Sequence, residues 1–347
     1  MRPLFISTAA ALLAAPVTQA LTFNLTDVTP GGMSAAALAG FQQATSIWEA
    51  SVTDDVTINL EIRFDASLPA NVLGSTGSSS QSNTVTQVRN ALTGDSLSVS
   101  DALAVANLPA GATLSFLTND SDTSAVITDN DTNGNNLFLD VNTANAKALG
   151  LLAAHDTGSD GSIGFNSAFS WDFDQTDGVT GGRQDFVGVT VHEIGHALGF
   201  VSGVDTVDAT HGAGPSAPID LNNSRVHSVL DLYRYSAAGQ LNYATGGAPY
   251  FSLDGGTTST ATFSTGNFNG DGRQASHWKD NLGLGIMDPT ANSPTATPPG
   301  NENHLSTLDL QAFDVIGWDL AAPVPEPSTG VLLMGSALAM FGFRRRK

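Results

Sequence analysis

The spacing of apolar residues predicts a chain that mixes helices and strands. Over residues 34–52 the apolar positions recur every three or four residues, which predicts a helix with Ser34 as its N-cap. Residues 56–64 alternate strictly between apolar and polar side chains, as a half-buried strand does, and residues 21–28 alternate more weakly. Near the other end, residues 308–317 have the pattern of a helix that is closed by a glycine.

Four further segments complete the expected outline. Residues 161–169 have the composition of a strand, whereas the Gly- and Ser-rich residues 74–84 predict a flexible loop. Residues 200–275 have the composition of a long polar loop. Only residues 229–235 interrupt it, with a pattern that fits either a strand or a short helix.

The net charge of the chain limits the classes of molecule that it can bind. The 347 residues carry a formal net charge of −20, from 13 basic and 33 acidic residues. Five of the basic residues but only one acidic residue lie in the two end segments, 1–20 and 323–347, so the body is more acidic still. Such a surface repels nucleic acid and anionic membranes and suits an exported protein that binds divalent cations. We therefore expect no nucleic-acid partner.

The chain contains no cysteine. This excludes disulfides, thiolate zinc ligands and a cysteine nucleophile. It also excludes latency through a cysteine that occupies a metal. The fold must rest on its core, with bound ions as a further source of stability.

Both ends of the chain have the composition of targeting signals. Residues 1–20 resemble a secretory signal peptide that is cleaved after Ala20, and the alternative is a first buried helix. At the other end, Pro325-Glu326-Pro327 precedes an apolar stretch over 330–343 and a basic block over 344–347. The apolar stretch is shorter than the ~20 residues of a usual membrane span, and the basic block favours a cytoplasmic terminus.

The tripartite C-terminal pattern resembles the PEP-CTERM sorting signal of Gram-negative bacteria. The resemblance implies that residues 323–347 are a sorting segment with a short membrane helix, processed by an exosortase-like enzyme. The alternative for this segment is an ordinary weak membrane anchor. In both cases the body is exported, secreted or held at the cell surface, and it contacts a membrane only through this segment.

The most specific chemistry lies in the run His192-Glu193-Ile194-Gly195-His196. Two histidines four residues apart on a helix project from one face and can reach a single metal ion. Glu193 is then placed to take a proton from a metal-bound water. A bare match to this motif also occurs by chance on surface helices. Here the apolar approach 186–191 and the helix-ending Gly199 favour the metal site.

A catalytic zinc needs a third protein ligand and an open position. A later glutamate is disfavoured, because Glu302 lies in a Pro- and Asn-rich loop composition. The short spacing known from many zinc peptidases would place the ligand at Ser202, which binds zinc poorly. The remaining candidates are His211, His227, His277, His304 and the nearby Asp205.

A second cluster of residues resembles part of a known family. A helix ending in His-Ala-Leu-Gly-Phe, a long insertion, then Ser276-His277-Trp278 and a Met-x-Pro turn at Met287 are similar to the leishmanolysin-like branch of the metzincins. The resemblance implies that His192, His196 and His277 bind zinc, that Glu193 is the general base and that Met287 forms the Met-turn. The cysteines of that family and a clear inhibitory pro-segment are absent from this sequence.

The same resemblance implies an α+β, zincin-like fold over residues 21–322. We expect an N-terminal subdomain to about residue 200, with a twisted mixed sheet, a backing helix and the active-site helix. An irregular C-terminal subdomain would follow over about 201–320. By analogy, residues 161–169 would form the edge strand along which an extended substrate pairs.

These features predict a secreted or surface zinc-dependent endopeptidase. It would act on a protein or peptide substrate through a zinc-bound water activated by Glu193. One alternative is a non-catalytic metal-binding surface or biofilm-matrix protein on the same scaffold. Another is a zinc amidase that acts on something other than protein.

A second metal is suggested by the run that starts at Asp129. Oxygen-bearing residues at positions one, three and five, a glycine at six and a carboxylate at twelve match the calcium-loop pattern. The candidate calcium ligands are Asp129, Asp131, Asn133, Asn135 and Asp140. The alternative is a polar turn, which an Asp- and Asn-rich composition also produces.

Overall fold

A computed structural model describes residues 20–291 and 305–321. The candidate signal peptide, apart from Ala20, and the C-terminal sorting segment lie outside these residues. Glu302 and His304 also lie outside them. The mixed α+β class expected from the sequence is confirmed for the described part of the chain.

The helices and strands run as follows. The α-helices are α1 (Ala35–Ser51), α2 (Val85–Asp95), α3 (Val99–Asn107), α4 (Gly134–Leu137), α5 (Thr143–Ala148), α6 (Phe186–Ala197), α7 (Val204–Thr210) and α8 (Thr307–Val315). The strands are β1 (Thr22–Asp27), β2 (Thr57–Asp65), β3 (Gly74–Ser78), β4 (Ser80–Thr84), β5 (Phe116–Asn119), β6 (Val126–Asp129), β7 (Phe138–Asn142), β8 (Gly161–Asn166), β9 (Trp171–Asp172), β10 (Gln184–Asp185), β11 (Arg234–Ala237), β12 (Gln240–Asn242), β13 (Tyr250–Phe251) and β14 (Ala261–Thr262). Short 3₁₀ helices cover Leu221–Asn223 and Leu230–Tyr233.

A four-stranded mixed sheet packs against the helix that carries His192, Glu193 and His196. Its strand order is β1-β2-β8-β3, with β1, β2 and β8 parallel and β3 antiparallel to β8. The two long helices α1 and α6 pack together, and the indole of Trp48 donates to the carbonyl of Val191 at 3.1 Å. Ser34 caps α1 by accepting from Ala37, as its position in the sequence predicts.

An aromatic cluster holds these helices to the sheet. Phe186, the first residue of α6, is fully buried, and four other rings lie with their centroids 4.5–5.4 Å from it. They belong to Phe41, Phe165, Trp171 and Phe173. Such edge-to-face and tilted contacts add to the hydrophobic gain from burying the rings. The cluster therefore fixes where α6 begins.

Two sequence expectations are wrong in this sheet. Residues 74–84 are not a flexible loop, because they form β3 of this sheet and β4, which pairs with β7 in a separate one. Strand β8 is not an edge strand, because it pairs with β2 on one side and β3 on the other. The small residues of β3 serve close packing: a Cβ on Gly74 would lie 2.8 Å from a carboxylate oxygen of Glu193 on α6.

A second sheet is built mostly from the region after α6. Its order is β14-β13-β11-β12-β5-β6, so two strands from before residue 200 complete a sheet built mostly after it. Strand β12 pairs in parallel with β5. The expected boundary near residue 200 therefore does not separate the two sheets, and the C-terminal part is more regular than the sequence indicates.

The last described residues return to the first helix. Leu320 bridges Val52, and the amide of Thr53 donates to the carbonyl of Asp319 at 2.8 Å. This closes the domain just before the C-terminal segment. Within residues 20–291 and 305–321, no helix combines the length and the apolar character that a membrane crossing requires.

The aromatic cluster generates a stability prediction. Phe186→Ala should lower the free energy of unfolding by about 3–5 kcal/mol, because it removes a buried ring and leaves a cavity. Val99→Ala is the control: Val99 is 89% exposed, and we expect a change within about 0.5 kcal/mol. Denaturant unfolding of both variants measures the difference. An effect of Phe186→Ala as small as that of the control would contradict this description of the core.

Candidate metal centre

Helix α6 presents two histidines on one face. The helix starts where the Asp185 carboxylate accepts from the amide of Gly188 at 2.8 Å, an N-cap that satisfies a free donor. His192 and His196 follow one turn apart. Gly199 then adopts φ +119°, which a residue with a side chain rarely does, and the chain turns away from the helix axis.

The third histidine arrives from a distant part of the chain. His277 lies 81 residues after His196, yet their Nε2 atoms are 3.2 Å apart. The Nε2 atoms of His192 and His196 are 3.1 Å apart, and those of His192 and His277 are 3.2 Å apart. The structure therefore brings together the three histidines that the metzincin resemblance implies.

The opposite nitrogen of each ring fixes its tautomer. Nδ1 of His192 lies 2.6 Å from the carbonyl oxygen of Ile286, and Nδ1 of His196 lies 2.7 Å from that of Phe200. Nδ1 of His277 lies 3.2 Å from the carbonyl oxygen of Gln274. A carbonyl oxygen can only accept, so in the neutral form of each ring it is Nδ1 that carries the proton. Each Nε2 is then an unprotonated acceptor, the form in which imidazole binds a metal.

This arrangement fits a zinc ion. Three unprotonated nitrogens that face one another repel unless a cation lies between them. Tetrahedral zinc with bonds of about 2.0–2.1 Å would separate neighbouring ligand nitrogens by about 3.3–3.4 Å, close to the 3.1–3.2 Å observed. Burial and the neighbouring His192 lower the pKa of His196 to about 3, so this ring stays neutral near pH 7. Within the described residues, no other group of three or more metal-ligating side chains has its ligand atoms within 4.8 Å of one another.

Glu193 lies beside the three histidines and is held from the sheet. The Thr76 hydroxyl of β3 lies 2.7 Å from Glu193 Oε2 and 2.9 Å from its backbone oxygen, and its single proton serves one of them at a time. Burial raises the pKa of Glu193, although His192 and the Thr76 hydrogen bond oppose the shift. The sequence did not reveal Thr76, because its neighbours have a loop-like composition.

Met287 forms an apolar floor under the helix. It is fully buried, and a Cβ on Gly195 would lie 2.6 Å from its sulfur, so only glycine lets α6 approach this closely. The turn is anchored by Asp309, whose buried carboxylate accepts from the amide of Ile286 at 2.8 Å and from the Trp278 indole at 2.8 Å. Asp309 was not identified from the sequence. Its one visible mark there is the Ser306-x-x-Asp309 capping box.

The other third-ligand candidates lie in different surroundings. The Asp205 carboxylate accepts from backbone amides beside His277 and does not join the three imidazoles. Ser202 donates to Asp231 at 2.6 Å. His211 is bonded to Val207, and His227 lies against Phe116 and Tyr243.

The candidate calcium residues do not form a comparable set. The Asp129 carboxylate accepts from the side-chain amides of Asn135 and Asn136 at 2.8 and 2.9 Å, so both oxygens already have donors. Asp131 accepts from Asn133. The loop runs from β6 to the four-residue α4 and then into β7, where Asp140 lies, so the two long helices that flank an EF-hand loop are missing here.

The three histidines open into a cleft of about 1370 Å³. One wall is made by residues 68–76, which lead into and include the edge strand β3. The opposite walls come from the residues after α6, the segment before His277 and the turn around Met287. The cleft therefore combines the three candidate metal ligands, a buried carboxylate and the terminal strand of a sheet.

Comparisons with known proteins match a motif in the tail of the chain. Residues 323–347 match the PEP-CTERM protein-sorting motif. This motif implies export, anchoring through the C-terminus in a Gram-negative bacterium, and recognition by an exosortase-like processing enzyme. Searches of curated proteins and of solved structures each found no match to the chain.

The geometry predicts which histidines hold metal. The wild-type protein should bind one zinc ion, His277→Ala should lose it, and His211→Ala should keep it, because His211 points to a backbone carbonyl elsewhere. Metal content after dialysis and affinity by chelator competition measure both. Retention of wild-type zinc affinity by His277→Ala would refute the third-ligand assignment.

Proposed function

We propose that this protein is an exported zinc-dependent endopeptidase. The observation that carries the proposal is the convergence of three unprotonated Nε2 atoms beside a buried carboxylate, in an open cleft. A structural zinc site in a protein has four protein ligands and no open position, whereas a catalytic site has three protein ligands and leaves the fourth position open. His192, His196 and His277 would be the three ligands.

The protein's own groups divide the work of peptide hydrolysis. When bound, zinc supplies Lewis-acid polarisation of the scissile carbonyl and acidifies water. Glu193 takes the proton of the attacking water and returns it to the leaving amine. Its raised pKa suits this double role, because a carboxylate that binds a proton more readily than usual can take one from water and then deliver it to the amine. Thr76 keeps one carboxylate oxygen of Glu193 in a fixed orientation.

The sheet edge supplies a site for an extended peptide. Strand β3 pairs with β8 through one edge, and its residues Gly74, Ser75 and Thr76 line the cleft. A substrate strand that adds to the outer edge of β3 would run past Glu193, which Thr76 contacts. Backbone pairing of this kind gives affinity without requiring one side-chain sequence, and it favours unfolded protein or flexible peptide as substrate.

The alternatives use the same scaffold differently. A non-catalytic matrix protein would need the metal for structure alone, and it would have no use for a buried carboxylate beside the ligands. A zinc amidase would use the same groups on another substrate. The position of β3 at the end of its sheet, with no strand paired to its outer edge in the described residues, favours the peptide substrate over that alternative.

The proposal predicts a loss of activity without a loss of metal. Glu193→Gln should keep the zinc content and reduce cleavage of unfolded casein by about 10²–10⁴-fold, the usual contribution of a general acid–base. The matched control is Glu61→Gln on the exposed face of β2, which should cleave as the wild type does. A casein zymogram with and without chelator, followed by rate measurements, provides the readout. Undiminished cleavage by a zinc-loaded Glu193→Gln protein would refute the mechanism. Absence of chelator-sensitive cleavage by the wild type would favour the non-catalytic alternative.

A further inference from the structure

The third histidine, His277, lies on a hairpin that is far from α6 along the chain. Residues 263–278, here called the ligand hairpin, are paired by bridges between Phe263 and Trp278 and between Gly266 and Arg273. His277 lies 81 residues after His196, so the intervening chain alone does not fix the distance between them. Hydrogen bonds to the backbone amides and carbonyls of the hairpin must hold His277 in place relative to His192 and His196. Tertiary contacts to this hairpin therefore decide whether three ligands meet.

Asp205, in the first turn of α7, holds the amide side of this segment. Its carboxylate accepts from the amide of Ala275 at 2.6 Å and from that of Ser276 at 3.1 Å, and it also accepts from the Ser276 hydroxyl. The Ser276 hydroxyl oxygen in turn accepts from the amide of Ser202, just after the metal-binding helix, at 2.8 Å. One carboxylate thus connects the end of α6 to the residues that precede His277.

Arg234, the first residue of β11, holds the carbonyl side. Arg234 is 1% exposed. Its guanidinium donates to the carbonyl of Ala275 at 3.3 Å and to that of Ser264 at 2.8 Å. The guanidinium also lies 4.9 Å from the centre of the Phe263 ring. No carboxylate of the described residues lies within salt-bridge distance of this guanidinium. A buried charge without a contacting counter-charge is costly, and two of its three nitrogens donate to these two carbonyls, while Nε has no hydrogen-bond partner in the described part of the chain.

We propose that Asp205 and Arg234 are positioning residues for the third metal ligand. An anion binds the N–H of Ala275 and a cation binds its C=O, so the two peptide groups that flank this residue, two positions before His277, are both held. The amide of Ser264 donates to the carbonyl of His277 at 3.0 Å, so the Arg234 contact at Ser264 reaches the ligand residue itself. This inference rests on the proposed zinc function.

The chain offers two matched controls. Asp208 lies one turn further along α7, is 1% exposed and accepts from the amides of Phe268 and Asn269 at 2.8 Å each, so it holds the tip of the hairpin and not the ligand end. Lys147 is equally buried and pairs with Asp160 at 2.6 Å, away from the hairpin. Replacing either Asp208 or Lys147 removes a buried charge without removing a contact to the residues beside His277.

The test compares zinc affinity in the full-length chain, together with the visible spectrum of the Co²⁺-loaded protein. Asp205→Ala and Arg234→Met should bind zinc about 10–100-fold more weakly, as expected for groups that orient a metal ligand, and should alter the Co²⁺ bands. Asp205→Asn, which keeps one acceptor oxygen, should recover part of the affinity. Asp208→Ala and Lys147→Met should lose thermal stability but keep the wild-type zinc affinity and spectrum.

Each outcome decides a separate claim. Wild-type affinity and spectrum in folded Asp205→Ala and Arg234→Met would overturn the positioning roles. Equal losses in Asp208→Ala and Lys147→Met would overturn them too, because the effect would then follow general stability. If Asp205→Ala does not fold, Asp205→Asn and Arg234→Lys take its place, with weaker zinc binding expected in both and wild-type binding contradicting the inference. Failure of the wild type itself to bind zinc would instead refute the proposed function.

Discussion

Three neutral imidazole nitrogens stand 3.1–3.2 Å apart with their lone pairs directed at one another. Such a cluster is unfavourable without a cation, so the rest of the fold has to hold it together. Backbone carbonyls orient the outer nitrogen of each ring, and buried Asp309 fixes the turn that supplies one of those carbonyls. The aromatic cluster around Phe186 places the helix from which two of the three rings project.

The sequence was most informative where one residue type in one pattern has few physical solutions. The helical spacing of His192 and His196, the glycine that ends the helix and the cap at Ser34 are local features, and the structure shows the expected geometry for each. Contacts between distant segments were harder to foresee. Gly74 and Thr76 have a loop-like composition, yet they pair with β8 as a strand, and α6 packs directly against it. Asp205 was a rival ligand in the sequence and is a hydrogen-bond acceptor for the ligand hairpin in the structure. Only tertiary packing distinguishes these roles.

The region after the metal-binding helix has a clear structural purpose in this arrangement. It had the composition of a long polar loop, but it contributes α7, four strands of a six-stranded sheet and the hairpin that carries His277. Two strands from earlier in the chain complete that sheet, so the two halves fold as interdependent parts. The C-terminal sorting motif follows directly after the point where the chain closes against α1. Export by this route leads to compartments where disulfides form, yet the chain has no cysteine, so no disulfide contributes to its stability.

The central claim is that three imidazoles and one exchangeable position form a catalytic zinc site. X-ray absorption at the zinc K-edge of the purified, metal-loaded protein tests it most directly, because it reports the ligand atoms and their distances. We predict four-coordinate zinc with three imidazole nitrogens at about 2.0–2.1 Å and one further oxygen. A six-coordinate shell made only of oxygens, or zinc bound by fewer than three imidazoles, would contradict the site described here.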